Sequence, residues 1–161
     1  MPRRDREPQA PRESAEALFD KLPPNSMQAE AAVLGAMAAD HRSIGDVLEI
    51  IDSHEMFFKN ANAAIFQQIV KQFEANEPTD AVTLHERLRD AGMLEQIGGL
   101  DYLLKIIEAA PTAINAVSYA TIVRDKAMLR RGIEAASLAL HDLYHSDGRA
   151  ASDVIDGFEN D

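Results

Sequence analysis

The chain has 161 residues, of which 46% are hydrophobic and 27% charged, and its 16 basic and 27 acidic side chains give a formal net charge of -11. This composition predicts one globular domain with a core of its own, and the acidic excess argues against nonspecific binding to nucleic-acid phosphates as its main role. The absence of cysteine excludes disulfides, thiolate nucleophiles and cysteine-based zinc or iron–sulfur sites. No apolar run approaches the ~20 residues of a membrane span, and the N-terminus lacks the apolar core of a signal peptide, so we expect a cytoplasmic protein.

The N-terminal segment is predicted to be a flexible lead-in over residues 1–21, because the first 24 residues hold five of the seven prolines and few large apolar side chains. Order is predicted to begin at Leu22. Pro23 and Pro24 stop any helix before them, and Asn25 or Ser26 can cap the first helix. Apolar and small residues then recur at helical spacing, at Ala29, Val33, Ala36 and Met37.

Four further helices are predicted up to residue 110, with short connections between them. Ser43 is predicted to start the second, Thr79 or Asp80 to cap the fourth, and Gly92 to end it. Gly35 and the alanines of the first helix leave room for a neighbouring backbone. The apolar positions of the later helices are Val47, Leu48, Ile51; Ile65, Phe66, Ile69, Val70, Phe73; Val82, Leu84, Leu88; and Leu100, Leu103, Leu104, Ile106, Ile107. A cluster of Met56, Phe57 and Phe58 is predicted to be buried, and no stretch alternates with the period of a strand.

One long helix is predicted between Pro111 and Tyr144, with Asn115 as its side-chain cap. A narrow apolar stripe runs along it through Ile122, Leu129, Ile133, Ala136, Leu140 and Leu143. Such a stripe requires another helix against it. The turn at residues 146–149 is followed by the predicted second helix of a hairpin, with Val154, Ile155 and Phe158 on one side of it. We therefore expect an all-α fold, with a helical bundle subdomain over 22–110 and a helical hairpin over 111–161 whose second helix is truncated.

Catalytic motifs are weak. His141 and His145 stand one helical turn apart beside Asp142, as in a zinc peptidase, but no third ligand or glutamate base accompanies them, so a metal-dependent hydrolase is a distant alternative. No lysine stands in a P-loop, and no G-x-S-x-G motif occurs. We predict no catalysis, metal or cofactor for this chain.

One basic cluster stands out in this acidic sequence, consisting of Arg124, Lys126, Arg130 and Arg131. It predicts either charge pairing along a helical hairpin or a docking face for DNA or an acidic partner. Gly132, beside the cluster, marks close packing or a bend.

Four segments carry a family resemblance: LPPNSMQAEAAVLGAM, IFQQIVKQF, GGLDYLLKI and TAINAVSYATIVRDKAMLRR. In this order and spacing the chain resembles, from Leu22 to its end, the N-terminal domain of the bacterial replicative DNA helicase, the DnaB family. The most specific matches are Pro23-Pro24-Asn25-Ser26 with Ala29-Glu30 and Leu34-Gly35, Gly98-Gly99 with Tyr102, and Tyr119-Ala120 with Ile122-Val123-Arg124. The family often has a histidine at the position of Asn62 and a second glycine at the position of Ala36. The ATPase half is absent.

The resemblance implies a collar domain that pairs with other copies of itself, as dimers up to a hexamer built as a trimer of dimers. It also implies docking of the C-terminal domain of primase, and of a helicase loader in some members. ATP, magnesium and DNA would be bound by the parent ring in the replisome at the nucleoid. We assign self-association to Ile122, Leu129, Ile133, Leu140 and Leu143, and primase docking to Tyr102, Arg130 and Arg131. The alternatives are a helicase-binding domain of primase and a helical interaction module without a replication role.

Overall fold

A computed structural model of the chain describes residues 13, 14, 17, 18, 20–145 and 148–159, with the side chains of 158 and 159 excepted. All regular secondary structure in these residues is helical, which confirms the predicted fold class. The predicted lead-in over 1–21 lies mostly outside the described residues, as does the side chain of Phe158. No helix within the described ranges is long and apolar enough to cross a membrane.

Eight α-helices and one short 3₁₀ helix follow one another in the described part of the chain. They are α1 (Met27–Ala39), α2 (Arg42–Leu48), the 3₁₀ helix (His54–Met56), α3 (Asn60–Glu74), α4 (Ala81–Asp90), α5 (Leu94–Ile97), α6 (Gly99–Glu108), α7 (Ala116–Tyr144) and α8 (Ala151–Glu159). The short helix α5 was not predicted as a separate element.

Three helix ends follow the predicted signals. The Ser26 hydroxyl accepts a hydrogen bond from the N–H of Ala29 at 3.3 Å and caps α1. The carboxylate of Asp80 caps α4. Gly92 follows the end of α4 with φ +68°, and its N–H donates to the carbonyl of Arg89. Since the N–H of the next residue donates to the Leu88 carbonyl, this end is a Schellman motif.

The predicted start of α2 is one residue late, and the predicted cap of α7 is wrong in detail. Ser43 lies inside α2 and is buried, with its hydroxyl donating to the carbonyl oxygen of Asp40 at 2.7 Å. The Asp40 carboxylate is the acceptor for the first turn, because it takes the N–H of Arg42 at 2.9 Å. Asn115 occupies the N-cap position of α7, but its side chain makes no capping hydrogen bond.

Helix α1 is the centre of the core, and it packs against α6 on one side and α7 on another. Gly35 makes the α6 contact possible, because a Cβ there would stand 2.6 Å from the carbonyl oxygen of Ile106 and 3.0 Å from the nitrogen of Ala110. The close backbone approach predicted at Gly35 is thereby confirmed. The N-terminal half of α7 contributes small side chains to the same core, at Ala116, Ala120, Val123 and Ala127.

Some predicted apolar positions face solvent. Val82 is 71% exposed, because it lies two residues before Leu84, on the opposite side of α4 from the buried pair Leu84 and Leu88. Leu100 and Leu104 are also exposed on α6, where Leu103 and Ile106 are buried. Within the predicted aromatic cluster Met56 and Phe57 are buried and Phe58 is half-buried.

Candidate functional site

The second half of α7 leaves the globular part of the chain, which consists of α1–α6 and α7 through Ala127. Ala127 is the last residue of α7 that is buried. The large side chains of the predicted stripe are mostly accessible. Four of the five are between 41% and 55% exposed: Ile122, Leu129, Ile133 and Leu143. Leu140 is half-buried. The stripe is therefore an accessible apolar surface in the single chain.

Helical geometry places most of this stripe on one face. Ile122, Leu129, Ile133 and Leu140 are separated by seven, four and seven residues, which brings each nearly in line with the last at 3.6 residues per turn. Leu143 lies on the neighbouring face. Two other exposed apolar residues, Met128 and Leu138, point away from this line.

Helix α8 folds back on α7 and completes a short hairpin, as predicted for this part of the chain. Val154 is 5% exposed and anchors the contact, whereas Ile155 is 50% exposed. The predicted grouping of these two residues on one packed side is therefore wrong, since adjacent residues lie about 100° apart around a helix. Because α8 has only nine residues and contributes little apolar surface, the hairpin leaves the stripe largely uncovered.

Arg130 turns inward toward the globular part. Its Nη1 donates to the carbonyl oxygen of Pro24 at 2.8 Å and its Nη2 to that of Met56 at 2.6 Å. The guanidinium carbon lies 5.7 Å from the ring centroid of Phe58. Burial lowers the pKa of Arg130, and the negative charge of Glu30 offsets part of that effect. The predicted docking residue therefore also has a role in the fold of its own chain.

Tyr102 belongs to a buried polar network that was not predicted. Its hydroxyl donates to Oδ1 of Asn62 at 2.6 Å, and Nδ2 of Asn62 donates to Oε2 of Glu30 at 2.8 Å. Glu30 is 1% exposed and also accepts the N–H of Phe58 at 2.6 Å. The ammonium of Lys59 lies 3.8 Å from the centroid of the Tyr102 ring. The only sequence signals for this network are the Ala29-Glu30 match and the unusual Asn62.

Only part of the basic cluster lies on one side of α7. Arg124 pairs with Asp125 at 3.0 Å, as charge pairing along the hairpin predicts. Arg131 is exposed and lies seven residues further on, nearly in line with Arg124 along the helix, whereas the guanidinium of Arg130 bonds to the globular part. A Cβ at Gly132 would meet no atom within 4 Å, so the close-packing alternative has no support within this chain.

The two histidines near the end of α7 contact each other. Their rings stack with centroids 4.3 Å apart, and Nδ1 of His145 lies 3.0 Å from the carbonyl oxygen of His141. Among the described residues no group of three or more His, Asp or Glu side chains is placed to hold a metal ion. Within the part of the chain that the structure describes, the hydrolase alternative therefore has no third ligand.

Comparison with known proteins bears on the whole chain. The model of the family described as "DnaB-like helicase N terminal domain" matches residues 22–125. A replicative DNA helicase DnaB of Mycobacterium leprae is 38% identical over 139 residues, which are 86% of this chain and 23% of that protein. The corresponding helicase of Geobacillus stearothermophilus is 37% identical over 130 residues, 81% of this chain and 28% of that protein.

A solved structure agrees with the fold. The crystal structure of the N-terminal domain of DnaB helicase from Mycobacterium tuberculosis matches with a TM-score of 0.79 and 37% sequence identity, and the match covers 86% of this chain and 96% of that one. The chain spans about a quarter of the length of the curated relatives that it matches.

Proposed function

The chain belongs to the family of DnaB-like helicase N-terminal domains, and from that premise we propose that it is the collar domain of a hexameric replicative DNA helicase. In this proposal residues 22–110 form the globular subdomain and residues 111–161 the helical hairpin through which subunits pair. The parent ring, built as a trimer of dimers, would bind DNA and use ATP with magnesium in the cytoplasm at the nucleoid.

The exposed stripe on α7 is the observation that carries the pairing proposal. Isoleucine and leucine side chains at Ile122, Leu129 and Ile133 are each about half exposed in one chain, although full burial of such a side chain contributes roughly 1.5–3 kcal/mol. A second hairpin laid along the stripe would form a four-helix bundle with its apolar side chains inside. Pairing of identical surfaces is also the commonest symmetry of soluble oligomers.

A charge placed in the stripe tests the pairing. Leu129→Asp should shift the chain to monomer in sedimentation equilibrium, because a carboxylate cannot be buried against a second apolar hairpin. Ile133→Asp and Leu140→Asp should act in the same way, with the globular subdomain still folded by circular dichroism.

Leu138→Asp is the matched control for this experiment. Leu138 is 62% exposed and Leu129 is 55% exposed, and the nine residues between them place the two leucines on opposite sides of α7 at about 100° per residue. The control variant should pair like the parent chain. Equal loss of pairing in both variants, or full pairing of Leu129→Asp, would contradict the assignment of the stripe.

We further propose that the collar docks the C-terminal domain of primase, with Tyr102, Arg130 and Arg131 at the contact, and receives a helicase loader in some assemblies. Tyrosine and arginine are enriched at the centres of interfaces. Of the three residues Arg131 is the most exposed, whereas the hydroxyl of Tyr102 and two guanidinium nitrogens of Arg130 already bond within the chain.

Titration calorimetry with the purified primase domain tests this contact. Arg131→Ala should weaken binding at least severalfold, whereas Lys126→Ala, about 140° away around the same helix, should leave the affinity nearly unchanged. If both variants bind as the parent chain does, primase docks elsewhere.

A further inference from the structure

Arg130 holds the point at which α7 leaves the globular part. Up to Ala127 the helix is fixed by buried side chains, and at Arg130 one guanidinium reaches the Pro24 and Met56 carbonyls. Beyond it, the hydrogen bonds of α7 side chains in the described region stay within the helix, such as that from the Ser137 hydroxyl to the Ile133 carbonyl at 2.8 Å. Arg130 is thus the outermost polar contact between α7 and the globular part in the residues that the structure describes.

The two acceptor carbonyls come from segments far apart in sequence. Pro24 precedes α1 and lies 106 residues from Arg130, while Met56 ends the 3₁₀ helix and lies 74 residues away. One planar, forked guanidinium spans both, which the single ammonium of lysine is not shaped to do. The side chain therefore ties α7 to two independent parts of the globular surface.

These two segments are themselves held in place. The Glu30 carboxylate accepts the N–H groups of Phe58 at 2.6 Å and Lys59 at 3.3 Å, which fixes the chain just after Met56. The Asn25 side chain donates to the carbonyl oxygen of Pro23 at 2.9 Å and braces the proline turn. The Arg130 guanidinium therefore docks on a rigid surface.

We propose that Arg130 is a positioning residue that fixes the direction of the arm, defined as residues 131–145 and 148–159, relative to the globular part. The proposal concerns one chain alone and holds whether or not two chains pair. If they do pair, the same contact sets the angle between the two globular parts.

Distances between spin labels test this directly, because the chain contains no cysteine and labels can be placed at will. The reporter pair is Gln67→Cys on α3 with Asp142→Cys in the arm. The control pair is Gln67→Cys with Ser118→Cys, on the same helix but before Arg130. All three sites are exposed. Dilution of the labelled chain into an excess of unlabelled chain removes distances between subunits.

Arg130→Met should broaden the distance distribution of the reporter pair and leave the control pair unchanged. Arg130→Lys should broaden it too, because the charge remains but the double contact is lost. Arg131→Met is the matched control and should change neither pair.

Three results would overturn the proposal. The first is a reporter distribution that stays unchanged in Arg130→Met, and the second is equal broadening of both pairs, which would make Arg130 a residue of general stability. The third is loss of the circular dichroism of the folded chain in both Arg130 variants.

Discussion

Glu30 is a buried carboxylate whose hydrogen bonds all come from a segment about 30 residues away. Its two oxygens take the N–H groups of Phe58 and Lys59 and the amide of Asn62. A charge buried in this way is tolerated only because donors surround it and a guanidinium lies nearby. The residue joins α1 to the start of α3 and to the segment on which Arg130 docks.

Removing that carboxylate should be costly. Glu30→Ala leaves three donors without an acceptor and should lower the free energy of unfolding by about 3–5 kcal/mol. Glu30→Gln retains one acceptor oxygen and should lower it less. Urea denaturation at one fixed protein concentration measures both. Glu74→Ala, an exposed glutamate at the end of α3, is the control and should change stability by less than about 0.5 kcal/mol. Equal effects at the two positions would contradict this account of Glu30.

Asp80, at the start of α4, makes a pH-dependent contribution to the stability of the folded chain. Burial raises the pKa of its carboxyl, but hydrogen bonds from the N–H groups of Thr83 and Val82 and from the Thr83 hydroxyl outweigh this and hold the pKa below its ordinary value. A group whose pKa is lowered by folding stabilises the protein above its unfolded pKa, about 3.9 for aspartate, and loses that effect as pH falls through the folded pKa.

Asp80→Ala should therefore cost about 1 kcal/mol at neutral pH, and the difference from the parent chain should shrink as the pH falls below about 4. Thermal unfolding across this pH range measures the difference. Asp80→Asn keeps an uncharged cap, so its advantage over Asp80→Ala should not vary with pH. A parent-to-alanine difference that stays constant down to pH 2 would show that ionisation of Asp80 does not matter.

At the scale of the elements, the contact of α1 with α6 depends on one missing side chain. A methyl group at Gly35 would overlap the backbone of Ile106 and Ala110, and backbone atoms of a packed helix cannot move aside as a side chain can. The small residues along α1 thus decide how closely the helices of the core approach each other.

Gly35→Ala should destabilise the chain by about 1–3 kcal/mol, because α6 must shift to make room. Gly45→Ala is the matched control: it lies in α2, a Cβ there would meet nothing within 4 Å, and alanine is the better helix former by up to about 1 kcal/mol. Chemical denaturation should give opposite signs for the two substitutions. Destabilisation by both would mean that the close approach at Gly35 is not what limits the packing.

The sequence predicts local features of these elements well, because their causes lie within a few residues. Ser26, Asp80 and Gly92 act on the adjacent turn, and the structure confirms each of them. Val82 was misassigned because a short helix offers too few turns for its buried face to be read unambiguously. Asn115 was misassigned because the cap position does not by itself fix the side-chain rotamer.

The candidate site was predictable only in part. The stripe on α7 follows from helical spacing alone, and the structure shows it exposed. The contacts of Arg130 and Asn62 depend on partners 106 and 40 residues distant, which no local pattern encodes. Neither reading of the basic cluster, charge pairing or a docking face, could therefore anticipate that the guanidinium of Arg130 bonds to the globular part.

At the scale of the whole molecule, charge opposes the proposed pairing. The last 30 residues, from Gly132 onward, contain seven acidic side chains and one basic side chain, and so carry more than half of the net charge of -11. Two hairpins that pair along the stripe bring these acidic segments together. The apolar contact must therefore overcome repulsion between like charges.

Salt should consequently strengthen the pairing. Raising sodium chloride from about 0.05 to 0.5 M shortens the screening length well below 10 Å and reduces the repulsion, while the apolar contact is retained. Sedimentation equilibrium should show a tighter dimer at the higher salt concentration for the parent chain and for Leu138→Asp. Leu129→Asp should stay monomeric at both concentrations, because screening does not remove the cost of burying its carboxylate. Weaker pairing of the parent chain at high salt would instead indicate that ion pairs, and not the stripe, join the subunits.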